Sequence, residues 1–133
     1  MACVLHKRPA MTPQELRERT WQFARRVRIF CRPLLRDWEH GYAARQLRRA
    51  AASAAANYRA ACLARRTTRN FLAKLDIVLE ESDEADFWAT DLRDAGVKGA
   101  ELDWIIDEAR QLTKIFGASR RTAEAGARQR RLA

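Results

Sequence analysis

The sequence is poor in the residues that break helices: five of its 133 residues are glycine and three are proline. Both residues disfavour helix interiors, so their scarcity allows long uninterrupted helices. Histidine is also rare, and its two copies, His6 and His40, are not part of the Glu-x-x-His motif that di-iron helical bundles require. The cysteines Cys3, Cys31 and Cys62 are far apart and form no CxxC pair. Metal-ligand spacing is therefore absent.

Long apolar runs are absent too. No segment approaches the roughly 20 apolar residues needed to span a bilayer, and the N-terminus has no apolar signal-peptide core. We therefore expect a soluble cytoplasmic protein, in which Cys31 and Cys62 are buried as reduced, small hydrophobic residues. The chain also has no glycine-rich phosphate loop and no nucleophile elbow. These absences give an enzyme or a cofactor-binding protein almost no support.

Alanine and arginine dominate a block at residues 43–69 that contains neither glycine nor proline. Both are strong helix formers, so the block predicts one long central helix, from about residue 42 to 66. The apolar stripe of this helix steps by four and three residues through Leu47, Ala51, Ala54, Tyr58 and Ala61. The side of the helix opposite this stripe carries Ser53 and Asn57. A hydrogen bond that fixes helix register explains these two residues better than a polar binding site does.

A first helix is predicted before this block. Thr12 and Glu15 flank Pro13 in a capping-box pattern, which predicts the helix start. Pro33 predicts a kink or end of this helix, and residues 37–41 form the expected turn. Its apolar seam consists of Leu16, Thr20, Phe23, Val27, Phe30 and Leu34.

Two more helices are predicted after the central block. Thr67 or Thr68 can cap the third helix, and a glycine-flanked loop at 96–99 separates it from the fourth, at 100–116. Gly117 is placed as the C-terminal stop of the fourth helix. The third apolar stripe comprises Phe71, Leu75, Val78, Ser82, Ala85, Ala89 and Leu92, and the fourth comprises Leu102, Ile105, Ile106, Ala109, Leu112 and Phe116.

Four helices joined by short loops predict an all-α fold, an antiparallel up-down-up-down four-helix bundle. Residues 12–117 would form the bundle, after a flexible leader at 1–11. The residues 118–133 show little apolar content, so we expect a disordered basic tail there.

Charge is unevenly distributed along the chain, whose net charge is +9. Residues 1–70 hold 16 Lys/Arg and four Asp/Glu, residues 71–117 hold five and 12, and residues 118–133 hold five and one. Two explanations are open. The basic surface can meet nucleic acid, or basic and acidic helices can pair within or between subunits. Pairing leaves an excess of nine positive charges unexplained.

Arginine carries the nucleic-acid hypothesis because its planar guanidinium group donates two hydrogen bonds to phosphate. Positions 45, 48, 49 and 59 fall on roughly one side of the central helix. The competing explanation is a solvated face, or one paired with acidic helices. The candidate contact residues are Arg45, Arg48, Arg49, Arg59, Arg65 and Arg66 on or beyond the central helix, and Arg120, Arg121, Arg128, Arg130 and Arg131 in the tail.

Other candidates receive structural interpretations. The acidic cluster at residues 80–86 is expected to be a solvated or salt-bridging face and not a metal site. Trp21 lies off the main seam of the first helix and is a candidate for an oligomer interface. Trp88 is expected in the core or at a subunit contact.

The segments QLRRA at 46–50 and SAAANYR at 53–59 resemble the signature of the four-helix-bundle 23S ribosomal RNA intervening-sequence proteins. The resemblance covers roughly residues 15–115. It extends to Arg19-Thr20, Phe23-Ala24, Ala64-Arg65, Phe71, Lys74-Leu75, Glu80-Glu81, Asp83-Glu84 and Phe87-Trp88.

This resemblance implies an antiparallel bundle that assembles as a ring-like homopentamer. It also implies a relation to the accessory variability proteins of diversity-generating retroelements, which use a positively charged pentamer to bind nucleic acid and a reverse transcriptase. We therefore expect a non-enzymatic oligomer that binds RNA or DNA through its arginines. The alternative is a scaffold or adaptor for a protein partner such as a reverse transcriptase, without direct nucleic-acid binding.

Overall fold

The computed structural model describes residues 10–64 and 67–133. These residues form four α-helices and no strand, as the composition predicted. The helices are α1 (Pro13–Cys31), α2 (Gly41–Leu63), α3 (Thr68–Asp94) and α4 (Ala100–Leu132), and a short 3₁₀ turn, Arg32–Leu34, follows α1. None of the helices in the described part of the chain has an apolar stretch long enough to cross a bilayer.

The helix starts follow the local signals in the sequence. The Thr12 hydroxyl accepts a hydrogen bond from the Glu15 amide, and the Glu15 carboxylate accepts one from the Thr12 amide, so the predicted capping box is confirmed. Thr67 caps α3 by accepting from the amide of Asn70. Pro33 lies in the 3₁₀ turn directly after α1, which confirms that the helix ends there.

The helices pack in chain order around one core. α2 packs against α1 and α3, and α4 packs against α3 and α1. Two ion pairs, Arg19 with Glu108 and Arg26 with Glu101, show that α1 and α4 run antiparallel. The bundle packing predicted from the apolar stripes is therefore confirmed.

The core is built from those stripes, with alanine on the central helix. Leu47 and Tyr58 are the only large apolar side chains that α2 buries among its described residues. Small side chains let neighbouring helices approach α2 closely, whereas α1, α3 and α4 supply most of the core volume. The largest fully buried side chains include Phe23, Phe116, Leu47, Leu75, Leu92, Leu102, Ile105, Ile106 and Leu112.

The fourth helix differs from the prediction. It does not end at Gly117 but continues to Leu132, so residues 118–132 are helical and not a disordered tail. Half-buried small residues continue the stripe of α4 along the beginning of α3, and Arg120 pairs with Asp76 there. The expectation of disorder rested on the scarcity of large apolar residues in this segment, whereas the half-buried residues at 119, 123, 126 and 127 are all small.

Smaller predictions have mixed outcomes. Asn57 donates hydrogen bonds to the carbonyl oxygen and hydroxyl of Ser53, so that pair is a local contact within α2 and does not join two helices. Cys31 is buried, and burial raises the pKa of its thiol to about 12, while Cys62 is half-buried. Cys3 and residues 1–9 of the predicted leader lie outside the described residues.

Candidate nucleic-acid interface

A groove runs along the outer side of the α1–α2 pair. Its volume is about 850 Å³. Alanine side chains form its floor, and arginine side chains line much of the remainder. We call it the basic groove; its lining residues are Gln14, Arg17, Glu18, Trp21, Ala24, Arg25 and Arg28 of α1, with Arg48, Ala52, Ala55, Ala56 and Arg59 of α2.

Helical spacing explains why these residues share one surface. On α1 the residues recur every three or four positions on the side away from the buried seam, and the same holds on α2 from Arg48 to Arg59. Because the two helices run in opposite directions from a shared turn, Arg28 and Arg48 lie toward the turn end. Arg17 and Arg59 lie toward the other end. The groove is therefore basic along its whole length.

The arginines of the basic groove lack carboxylate partners. Arg17, Arg28, Arg48 and Arg59 form no ion pair with any residue in the ranges 10–64 and 67–133. Arg25 lies over the Trp21 ring, 4.6 Å from its centroid. One carboxylate, Glu18, lines the groove against five guanidinium groups. Such a surface attracts anions.

The predicted arginines therefore separate into groups. Arg48 and Arg59 lie in the basic groove. Arg49 and Arg120 form ion pairs, while Arg45 donates to the Leu35 carbonyl oxygen and Arg130 donates to the Thr68 hydroxyl. Arg121, Arg128 and Arg131 are exposed on the last turns of α4, and Arg65 and Arg66 lie outside the described residues.

Sequence reasoning missed half of the groove. Arg17, Arg25 and Arg28 of α1 were not among the predicted contact residues. Their signal was available, since positions 17, 21, 25 and 28 follow helical spacing on the face opposite the apolar seam. Which other helix that face adjoins depends on the packing, and no pattern within α1 alone specifies it.

Outside the groove, basic and acidic helices do pair. Arg49 contacts Glu81 at 3.1 Å and Glu84 at 2.5 Å, which joins α2 to α3. Arg26 contacts Glu101 at 2.7 Å and lies over the Trp104 ring, 3.4 Å from its centroid.

These contacts alter the ionisation of the partners. The hydrogen bond from Arg49 lowers the pKa of Glu84, and the one from Arg26 lowers the pKa of Glu101. Helix pairing thus accounts for part of the arginine content, at the seams between helices.

The opposite side of the molecule has the reverse charge. A smaller groove of about 360 Å³ lies mainly along α3. We call it the acidic groove; it is lined by Asp83, Asp86, Phe87, Thr90, Asp91 and Asp94 of α3 and by Arg110 of α4, which pairs with Asp86 at 3.1 Å. Among the described residues, no three His, Cys, Asp or Glu side chains are arranged to hold a metal ion.

The two tryptophans proposed for an oligomer interface have different surroundings. Trp21 is 49% exposed and lies in the basic groove. Trp88 is half-buried, and its indole N–H donates to Glu84 at 3.1 Å. Its ring packs against Tyr42 and Phe87, with centroids 5.5 Å and 4.9 Å away. Tyr42 and Phe87 are 61% and 60% exposed. We call Tyr42, Phe87 and Trp88 the aromatic patch.

Comparison with known proteins supports the architecture. No protein-family model matches the sequence, and no curated protein matches it. A solved structure from Bacteroides thetaiotaomicron VPI-5482, described as a protein with unknown function from the S23 ribosomal protein family, matches with a TM-score of 0.75. The match covers 84% of this chain and 99% of that chain at 21% sequence identity, so it shows a shared fold.

Proposed function

We propose that this protein is a non-enzymatic, oligomeric four-helix bundle that binds RNA or DNA in the basic groove. The observation that carries the proposal is the set of five arginines along one groove, with a single carboxylate, Glu18, among them. Guanidinium groups that no protein carboxylate neutralises are available to phosphate oxygens. Phosphate contacts of this kind supply affinity without reading sequence.

The experiment is a salt titration of binding to a labelled structured RNA. Affinity should fall linearly with salt on a double-logarithmic plot, because each phosphate contact releases counterions. Replacing Arg48 and Arg59 by alanine should reduce the slope by about two, since each lost contact removes about one unit. Arg49→Ala is the matched control and should leave the slope unchanged, because Arg49 is already paired with carboxylates. Absence of binding by the unaltered protein at low salt would eliminate this function.

We further propose membership in the 23S ribosomal RNA intervening-sequence protein family and assembly as a ring-like homopentamer in the cytoplasm. Two observations support this: the motif at residues 46–59, and the fold shared with the S23-family protein. The aromatic patch supports self-assembly, since rings as exposed as Tyr42 and Phe87 are typical of contact surfaces. Light scattering should give about five times the chain mass of 15.3 kDa, and a monomer mass would contradict the assembly.

The alternative function is a scaffold for a protein partner such as a reverse transcriptase. The observation that favours it is the acidic groove, which shares Phe87 with the aromatic patch and suits a basic protein surface better than a nucleic acid. Direct binding of a purified reverse transcriptase that survives alanine at Arg48 and Arg59, together with no RNA binding, would favour the scaffold.

A further inference from the structure

Trp21 is the one aromatic side chain that lines the basic groove among the residues described. It is 49% exposed, in contrast to the core residue Phe23 two positions later, which is fully buried. The Arg25 guanidinium lies 4.6 Å from the centroid of the indole ring, a cation–π contact that restrains the ring within the groove. A half-exposed, restrained indole among unpaired arginines has the composition of a base-stacking site.

The spacing of the arginines along the groove determines how many nucleotides of a ligand they can contact. Arg17 and Arg28 are eleven residues apart on α1, as are Arg48 and Arg59 on α2. At 1.5 Å of rise per residue, each pair spans about 16 Å along the groove. A stacked strand carries one phosphate per 3.4 Å, so this distance accommodates about five nucleotides. Trp21 lies between the two ends, within reach of the middle of such a segment.

The shape of the groove discriminates between ligands. Neighbouring helix axes in a bundle are about 8–10 Å apart, so the groove between α1 and α2 is narrower than a double helix. A duplex can contact only the arginines at the rim, and its bases are stacked on one another inside it. A single strand can lie against the alanine floor of Ala52, Ala55 and Ala56 and offer an unpaired base to the indole.

We infer that the basic groove selects single-stranded nucleic acid, with its arginines on the phosphates and one base stacked on Trp21. This inference rests on the proposed function and adds the class of nucleic acid and the residue that distinguishes it. The competing occupant is a second copy of the chain, whose clustered carboxylates lie in the acidic groove. Because that surface is itself concave, it fits the basic groove less well than an extended polyanion does.

The test compares binding of a short oligouridylate with binding of a blunt duplex that has the same number of phosphates, over the same series of salt concentrations. The full-length protein should bind the single strand at least tenfold more tightly. Trp21→Ala should weaken single-strand binding by about five- to 150-fold, the range typical for loss of one stacked base. It should leave duplex affinity and the salt slope unchanged.

Two variants serve as controls. Trp21→Phe keeps an aromatic face and should retain most single-strand affinity. Trp38→Ala removes a tryptophan that is 92% exposed and does not line the groove, so it should have no effect. Far-ultraviolet circular dichroism of Trp21→Ala should match the unaltered protein, because the residue lies outside the core.

The contrary outcomes are distinct. Equal affinity for both ligands, or an equal loss for both in Trp21→Ala, would overturn the inference and leave the proposed function intact. A change in solution mass on Trp21→Ala would assign the groove to contact between copies and would also overturn it. Failure of the unaltered protein to bind either ligand at low salt would contradict the proposed function itself.

Discussion

The basic groove and the acidic groove are two surfaces of one bundle with opposite charge. The basic groove holds five arginines and one glutamate between α1 and α2. The acidic groove holds four aspartates and one arginine along α3 and α4. In the acidic groove Arg110 pairs with Asp86, whereas in the basic groove Glu18 pairs with no arginine among the described residues.

The two grooves differ in whether their charged side chains find a partner of opposite charge within the chain. Arginines at the helix seams, such as Arg26 and Arg49, meet carboxylates from a neighbouring helix. Arginines that face the basic groove have no acidic helix beside them, because α3 lies on the far side of α2. The chain thus contains enough carboxylates to neutralise many arginines, but its topology keeps them away from this surface. We therefore propose an external anion as the partner of the groove.

The largest effect is expected from reversing charge in the basic groove. The double variant Arg48→Glu with Arg59→Glu should weaken RNA binding at low salt by at least about 100-fold, since two charge-assisted contacts are lost and repulsion is added. Fluorescence anisotropy measures this. The matched variant Arg121→Glu with Arg128→Glu makes the same change in net charge on exposed residues of α4 and should lose less than tenfold. Equal losses would mean that net charge, not the groove, determines binding.

The next effect is a difference in stability between substitutions at two adjacent residues that lie on opposite faces of α2. Ala51 is fully buried, whereas its neighbour Ala52 is exposed on the groove floor. Ala51→Leu should lower the free energy of unfolding by about 1–3 kcal/mol through overpacking, and Ala52→Leu should change it by less than about 0.5 kcal/mol. Denaturant unfolding gives both values.

For RNA binding, the order of the two variants should be reversed: Ala52→Leu should have the larger effect. Ala52→Leu places a branched side chain on the groove floor and should weaken RNA binding, whereas folded Ala51→Leu should bind normally. If Ala52→Leu bound RNA as tightly as the unaltered protein, the groove floor would not contact the ligand.

Acid should destabilise the paired seams. The folded pKa values of Glu84 and Glu101 lie below the ordinary value of a glutamate, so their contribution is present above that value, about 4.3. It is lost as the pH falls through the lower folded pKa. Both carboxylates are partly exposed, so each contributes less than about 1 kcal/mol. Glu101→Gln should remove part of the fall in unfolding free energy between about pH 5 and pH 3.

The smallest effect concerns α4 beyond Gly117. Arg120 pairs with Asp76 and Glu124, while its neighbour Arg121 is exposed. Arg120→Ala should lower the unfolding free energy slightly, and Arg121→Ala should leave it unchanged. Thermal melting of the two variants tests whether residues 118–132 pack on α3. Identical melting temperatures would indicate that this part of α4 contributes no stability.

Much of the fold was predictable from local patterns. The Thr12 capping box, the break at Pro33 and the Thr67 cap each rest on residues a few positions apart, which is why they were read correctly. Every large residue of the predicted fourth stripe, from Leu102 to Phe116, is buried. The error at Gly117 arose because a glycine within a helix gives the same local signal as one that ends it.

The candidate site was only half predictable. Arg45, Arg48 and Arg49 are near neighbours on α2, yet they meet a turn, the groove and α3 respectively. Successive residues of an α-helix are rotated by about 100° about the helix axis, so near neighbours in sequence can face different surroundings. Sequence therefore identifies arginine-rich faces, but which of those arginines are neutralised depends on the helix that packs beside each one.

The most direct measurement of the central claim is arginine modification by a dicarbonyl reagent, read residue by residue by mass spectrometry. It is done on the full-length protein with and without a short single-stranded RNA. Arg48 and Arg59 should react faster than Arg26 and Arg49, and the RNA should protect them while leaving the paired residues unchanged. Slow reaction of Arg48 and Arg59 in the free protein, or fast reaction that RNA does not suppress, would contradict an open basic groove that binds nucleic acid.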